Sequence, residues 1–177
     1  MNSKIIEMDL TKNKYYFEAL DSYPYNLPDC LEALNYALSY DPEDSDALCL
    51  MGRIYSEVLR DYETAKDYYA EAMMFDVANI NTPQYYILCL INNEDFAEAE
   101  KLIHYALKIK GIDKSNLWFY RSLLSEKRGS FSNALQFLKE AEKFCFNTCS
   151  LDIVNDRKKL IKAKMKKQKN KKKKEAK

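Results

Sequence analysis

Glycine and proline are scarce: three Gly and four Pro in 177 residues leave too little punctuation for the many tight turns of an antiparallel β-domain. Histidine occurs once, as His104, and neither a glycine-rich phosphate loop nor a Gly-x-Ser-x-Gly elbow is present, so the usual signatures of nucleotide and acyl-transfer chemistry are missing. No apolar run approaches the roughly 20 residues that cross a bilayer. The opening MNSKIIEMDLTK mixes acids with lysines and lacks an apolar stretch of signal-peptide length. Cys30, Cys49, Cys89, Cys145 and Cys149 form an odd set, which points to reduced thiols packed as small hydrophobes and to a cytoplasmic chain. What is abundant is apolar residues, 47% of the chain, and aromatics, 13%, enough for a packed core. With few breakers and a full complement of core residues, the expectation is an all-α fold.

Self-similarity sharpens that expectation. Aligning PDCLEALNYALSYDP, YETAKDYYAEAMMFD, FAEAEKLIHYALKIK and FSNALQFLKEAEKFC sets small residues Cys30, Ala65, Ala99 and Ala134 in one column, at steps of 35, 34 and 35. Ala37, Ala72, Ala106 and Ala141 repeat at the same steps, with Leu34, Tyr69, Ile103 and Leu138 between them and Leu27, Tyr62, Phe96 and Phe131 ahead. A period of this length means stacked helical hairpins. Small residues seven apart on one helix face let a second helix come close, and the large residue between them fills the gap. One hairpin cannot bury that whole face, so stability must come from neighbouring hairpins.

The upstream half of the second unit, SDALCLMGRIYSEVL, places Leu48, Met51, Gly52 and Tyr55 at i, i+3, i+4 and i+7. With these residues the chain resembles the tetratricopeptide repeat family, whose pattern is a large residue, then Leu-Gly, Tyr, Ala, an aromatic, a small residue and Pro. The resemblance covers about residues 14 to 146 and implies a right-handed α-solenoid of about four hairpins. The units fall near 12–44, 45–79, 80–113 and 114–147, within a repeat domain at 1–147. Departures occur in the third unit, with Pro83 and Ile87 where the family prefers a large residue and Gly, and in the fourth, with Arg121 at that Gly position. Pro83, after Asn81 and Thr82, reads as the first turn of a helix capped by Asn or Thr.

Members of this family usually bind partners along the concave face, lined by the first helix of each pair. Carried over by register, that face comprises Cys49, Leu50, Arg53, Ser56 and Glu57; then Gln84, Tyr85, Leu88 and Asn92; then Trp118, Phe119, Ser122 and Glu126. A one-residue shift of register would instead send Trp118 into the core. The family's clamp for chaperone C-terminal carboxylates needs Lys, Asn and Arg on successive first helices. Only Arg53 fits, since the later places hold Tyr85, Leu88, Phe119 and Ser122. An apolar or aromatic segment of a partner protein or peptide is therefore the expected ligand.

Beyond the fourth unit, Leu151, Val154, Ile161 and Met165 are spaced by threes, fours and sevens, which predicts a capping helix over 148–168. Residues 169–177 have one apolar residue, Ala176, and are expected to be disordered. Charge is uneven: residues 157–177 hold 13 bases and one acid, whereas residues 1–76 hold 6 bases and 16 acids. Lys166, Lys167, Lys169, Lys171, Lys172, Lys173 and Lys174 form an electrostatic tail. Such a tail suits ribosomes, nucleic acid, anionic surfaces or acidic proteins, through contacts that salt weakens. It also suits the acidic first repeats, in the same molecule or another.

No catalytic constellation emerges, so a non-enzymatic chain is expected, with no cofactor. His104, in EKLIHYAL, reads as a packing or hydrogen-bonding residue, and Cys145 and Cys149, four apart, lack the second pair of ligands a zinc site needs. Two classes of function remain: an adaptor that binds partners in its groove, and a factor tethered through its basic tail.

Overall fold

The computed structural model describes residues 14–175, with the side chains of 169 and 171–175 outside that description. Among the described residues every regular element is helical and no strand occurs. The helices are α1 (14–22), α2 (Leu27–Tyr40), α3 (Ser45–Arg53), continued as a π-helical segment (Ile54–Leu59), α4 (Tyr62–Phe75), α5 (Thr82–Asn92), α6 (Phe96–Ala106), α7 (Lys114–Lys127), α8 (Phe131–Glu142) and α9 (Thr148–Glu175). They group into two compact units, Met1–Asn93 and Glu94–Lys177. No described helix is long and apolar enough to cross a membrane.

Local chemistry sets the helix ends. Asp44, Asp61 and Asp113 sit at the N-caps of α3, α4 and α7 and accept from the free amides of the first turn, for example Asp44 from Asp46 at 3.1 Å and Ala47 at 3.2 Å. Pro83 does lie in the first turn of α5, yet its N-cap Asn81 makes no side-chain cap. Asn79 accepts from the amides of Asn81 and Thr82 instead, at 2.8 and 3.0 Å. Gly129, at φ +74°, follows α7 in the left-handed conformation that glycine adopts without penalty.

The repeat columns are the core. Cys30, Ala65, Ala99 and Ala134, together with Ala37, Ala72, Ala106 and Ala141, are fully buried, as are the large residues between them, Leu34, Tyr69, Ile103 and Leu138. Leu27, Tyr62, Phe96 and Phe131 open their helices half-buried. In the first unit, Ala19, Leu34, Leu50 and Ile54 share one cluster, and Leu48, Cys49, Tyr69 and Cys89 another. Each such Leu or Ile contributes roughly 1.5–3 kcal/mol when withdrawn from water.

At Gly52 α3 lies close against Tyr69 of α4: a Cβ there would lie 2.8 Å from Cδ1 and Cε1 of Tyr69. The π segment beginning two residues later wraps one residue more than an α-helix would. It lies between Gly52 and Ala65, within the 35-residue step, and so houses the residue by which that step exceeds the next.

In the second unit α9 closes the row. Val154 and Ile161 bury into the cluster of Ala134, Leu138 and Ala141, with Met165 packed at its edge. Glu126 of α7, only 6% exposed at its side chain, accepts from Arg157 at 2.8 Å and Lys164 at 2.6 Å, two cations seven residues apart on α9. Helix α9 does not stop at residue 168 but runs to Glu175, so residues 169–175 are helical rather than disordered. Lys, Gln and Glu are good helix formers, and neither Gly nor Pro interrupts them. Residues 176–177, and 1–13 at the other terminus, lie outside the described residues.

Candidate functional site

Three helices of the first unit, α1, α3 and α5, supply a groove. Its centre is Arg53, whose guanidinium carbon lies 4.6 Å from the ring centroid of Tyr23 and 4.4 Å from that of Tyr85. The same guanidinium meets Glu57 at 3.3 Å, and the Tyr23 hydroxyl donates to the other oxygen of Glu57. Four side chains thus lock one another, with Arg53 stacked on two aromatic faces as its planar, weakly hydrated cation favours. Glu57 offsets the positive charge of Arg53, leaving a nearly neutral aromatic wall.

The π segment makes this possible. It turns Ser56 inward to share a 2.9 Å hydrogen bond with the Tyr69 hydroxyl, while the adjacent Glu57 reaches Tyr23 and Arg53. Tyr69 in turn stacks on Tyr86 of α5 at 5.4 Å. The groove wall and the buried core are therefore joined through two successive residues.

Two clefts flank Tyr85. One, of about 230 Å³, is lined by Tyr16, Leu20, Asp46, Cys49, Leu50, Arg53, Asn81 and Tyr85. The other, of about 160 Å³, is lined by Ser56, Glu57, Arg60, Tyr85, Leu88, Cys89 and Asn92. Burial, reinforced by Asp46, raises the Tyr16 phenol to about 12, and burial raises the Cys49 thiol to about 11. Burial and the bond to Glu57 push Tyr23 upward as well. At neutral pH these groups are hydroxyl and thiol, able to donate hydrogen bonds but not to act as nucleophiles.

The residues expected on the concave face divide sharply. Arg53, Glu57, Tyr85, Leu88 and Asn92 line the clefts. Leu50 is 1% exposed and belongs to the core, touching a cleft only at its edge. Gln84 is half-buried, donates to the Ile80 carbonyl at 2.8 Å and lines neither cleft. Tyr23, Tyr16 and Leu20 also contribute to the site, although the repeat columns do not single them out. The signal available was the aromatic run Tyr15-Tyr16-Phe17 at the start of α1.

In the second unit the expected face is displaced. Trp118 and Phe119 pack half-buried against the α8–α9 core, Trp118 stacking on Phe137 at 5.8 Å with Arg121 over both rings. Ser122 is fully buried, and its hydroxyl finds no hydrogen-bond partner among the described residues. Glu126 is occupied by α9 rather than open to a ligand.

The cause is register. The buried set Thr82, Ile87, Cys89, Leu90 and Ile91 on α5 recurs on α7, 35 residues later, as Leu117, Ser122, Leu124, Ser125 and Glu126. Ser122, not Arg121, therefore corresponds to Gly52. Tyr120 and Leu123, both half-buried, are the counterparts of Tyr85 and Leu88. The third step of 35, between Ala99 and Ala134, carried this information.

Lys166 and Lys167 are exposed, whereas the side chains of Lys169, Lys171, Lys172, Lys173 and Lys174 lie outside the described residues. His104 is exposed on α6 rather than packed. Among the described residues no three of His, Cys, Asp and Glu converge as a metal site would require.

No protein-family model and no curated protein matches the sequence. Solved structures do. PilF from Pseudomonas aeruginosa, from a functional characterisation of that protein, superposes with a TM-score of 0.78 at 18% identity, covering 91% of this chain and 72% of PilF. A single-site mutant of MamA superposes with a TM-score of 0.62 at 13% identity, covering 92% of each chain. Both are built from tetratricopeptide-type repeats, and at these identities the likeness concerns the fold. Buried repeat columns, paired helices, the glycine beneath Tyr69 and these superpositions together establish that the chain has the tetratricopeptide-repeat, α-solenoid fold.

Proposed function

We propose that this chain is a non-catalytic adaptor whose first unit grips a peptide or helix of a partner protein along α1, α3 and α5, in a reducing compartment such as the cytoplasm. The observation that carries this reading is the locked Arg53–Tyr23–Tyr85–Glu57 cluster with a cleft on each side of Tyr85. A preformed aromatic wall loses little side-chain entropy on binding, and flanking pockets desolvate the anchors that enter them. Because Glu57 offsets Arg53, the wall favours apolar or aromatic anchors over an acidic chain end. Asp46, Asn81 and Asn92 at the cleft margins offer polar groups to orient a ligand's backbone. The five free thiols fit a reducing environment.

The test is site-specific photo-cross-linking. A benzophenone amino acid in place of Tyr85 should trap one protein partner, and the same group in place of Lys101, exposed on α6, should not. Removing residues 166–177 should leave the Tyr85 product intact. Equal trapping at both positions, or loss of the product with the tail alone, would overturn the reading.

A further inference from the structure

Past Met165 the last helix outruns the unit that it caps. Ile161 is fully buried and Met165 packs at the cluster's edge, whereas Lys166, Lys167 and Gln168 are exposed and the backbone stays helical to Glu175. Residues 166–175 hold seven Lys and one Glu, and at 1.5 Å per residue they extend the helix by about 15 Å. Like charges three and four residues apart repel. A helix of this composition is therefore weakened in water and strengthened against a surface of opposite sign.

Its base adjoins an open cleft of about 880 Å³ between α8 and α9, lined by Leu135, Lys139, Lys143, Lys158 and Lys162 among others. Lys143 and Lys158 are paired with Glu140 and Glu142. Lys139 and Lys162 are exposed and make no ion pair among the described residues.

The counterpart lies in the same sequence. Residues 14–93 hold 14 acids and 4 bases. Glu32 on α2 and Asp67 and Glu71 on α4 are exposed and make no ion pair among the described residues. Apolar groups accompany the charge on both sides: Tyr36 and Tyr40 are exposed on α2, and Leu160 on α9. Opposed net charges, −10 over residues 14–93 and +6 over residues 166–175, in a chain whose formal net is +1, favour pairing between copies. No aromatic residue follows Met165 to stack bases, so a nucleic-acid strand would be held there by phosphate contacts alone.

We infer that the chain self-associates head to tail, the α8–α9 cleft and lysine extension of one copy docking on the carboxylate-bearing surface of the first unit of a second copy. The contact joins unlike surfaces, so it propagates into open chains unless the rotation closes a ring. It does not involve the Arg53 groove and stands or falls separately from it.

Two charge-reversed proteins test the inference by sedimentation velocity: Lys162→Glu/Lys166→Glu/Lys167→Glu, and Glu32→Lys/Asp67→Lys/Glu71→Lys. The native protein should sediment faster as its concentration rises at about 10 mM salt and return to monomer at about 1 M, where the Debye length falls from about 30 to about 3 Å. Each variant alone should stay monomeric, and an equimolar mixture should associate again. Far-UV circular dichroism establishes that both remain helical; should one unfold, Lys166→Glu and Asp67→Lys alone replace it.

A native protein that stays monomeric at every concentration in low salt overturns the inference, as does a mixture that fails to associate. Compaction independent of concentration would place the contact within one molecule. Binding of a 20-nucleotide RNA, lost in the lysine-reversed variant while the native protein alone remains monomeric, would make the extension's ligand a nucleic acid. Either of those outcomes also refutes self-association.

Discussion

Replacing Gly52 with Ala sets two known effects against each other. Inside a helix, Gly→Ala ordinarily stabilises by about 1 kcal/mol, because glycine loses more backbone freedom on folding. Here the new methyl would sit 2.8 Å from two carbons of the Tyr69 ring and 3.0 Å from a third. That ring cannot easily retreat: it is fully buried, stacked on Tyr86 and hydrogen-bonded to Ser56. Overpacking of a tight core costs about 1–3 kcal/mol, and pulling Tyr69 off Ser56 adds about 1 kcal/mol. The sum predicts that Gly52→Ala destabilises by about 1–3 kcal/mol net of the helix gain. Urea unfolding followed by circular dichroism would show a lower midpoint with an unchanged slope. In a Tyr69→Leu background the clash is relieved, and the same substitution should become neutral or stabilising, a coupling that a double-mutant cycle isolates. A Gly52→Ala protein more stable than the native one, or equal effects in both backgrounds, would refute the packing argument.

Removing the carboxylate in Glu126→Gln strips Arg157 and Lys164 of their shared partner and should cost about 1–3 kcal/mol, seen as faster hydrogen exchange in α9 than in α8. Among the cysteines, exposed Cys149 should react first with a thiol reagent, while buried Cys30, Cys49 and Cys89 should wait for unfolding; early loss of the Cys49 thiol would contradict its burial. Glu100 is held below the ordinary carboxylate range chiefly by the 2.6 Å hydrogen bond from Arg128, with Arg121 assisting. A depressed folded-state pKa gives stability that is present above the unfolded value, about 4.3 for Glu, and lost as pH falls through the folded one. Glu100→Gln should therefore flatten the acid limb of the stability profile, and an unchanged slope in urea titrations below pH 5 would count against the pairing.

Much of the second helix of each hairpin was legible because three columns are buried alike in all four units, from Cys30–Leu34–Ala37 to Ala134–Leu138–Ala141. Period and residue size suffice there, since each column faces the same neighbour in every repeat. The first helices were harder, because their buried faces follow the residue opposite, which changes from unit to unit. Gly52 reports a neighbour, Tyr69, that the other units replace with Leu or Ile, so the glycine cannot guide the register of α7. By the buried pattern, Tyr120 and Leu123 rather than Phe119 and Ser122 take the register positions of Tyr85 and Leu88. The π segment is hidden for a related reason: one surplus residue shows in the spacing, but its location depends on which helix can widen without losing its packing. The helical course of residues 169–175 was missed because composition alone treats lysine-rich sequence as uncoupled from the helix preceding it. Once α9 is nucleated and anchored by Val154, Ile161 and the Glu126 pairs, each further residue adds a hydrogen bond without a new nucleation cost.

The groove is tested most directly by selecting peptides from a displayed random library against the native protein and measuring their affinity for Arg53→Ala and Tyr85→Ala. Selected peptides should carry aromatic or aliphatic anchors, and each substitution should weaken binding by about 2 kcal/mol or more, as expected for a hot spot, with circular dichroism unchanged. Peptides that bind both variants as tightly as the native protein would place the recognition surface elsewhere.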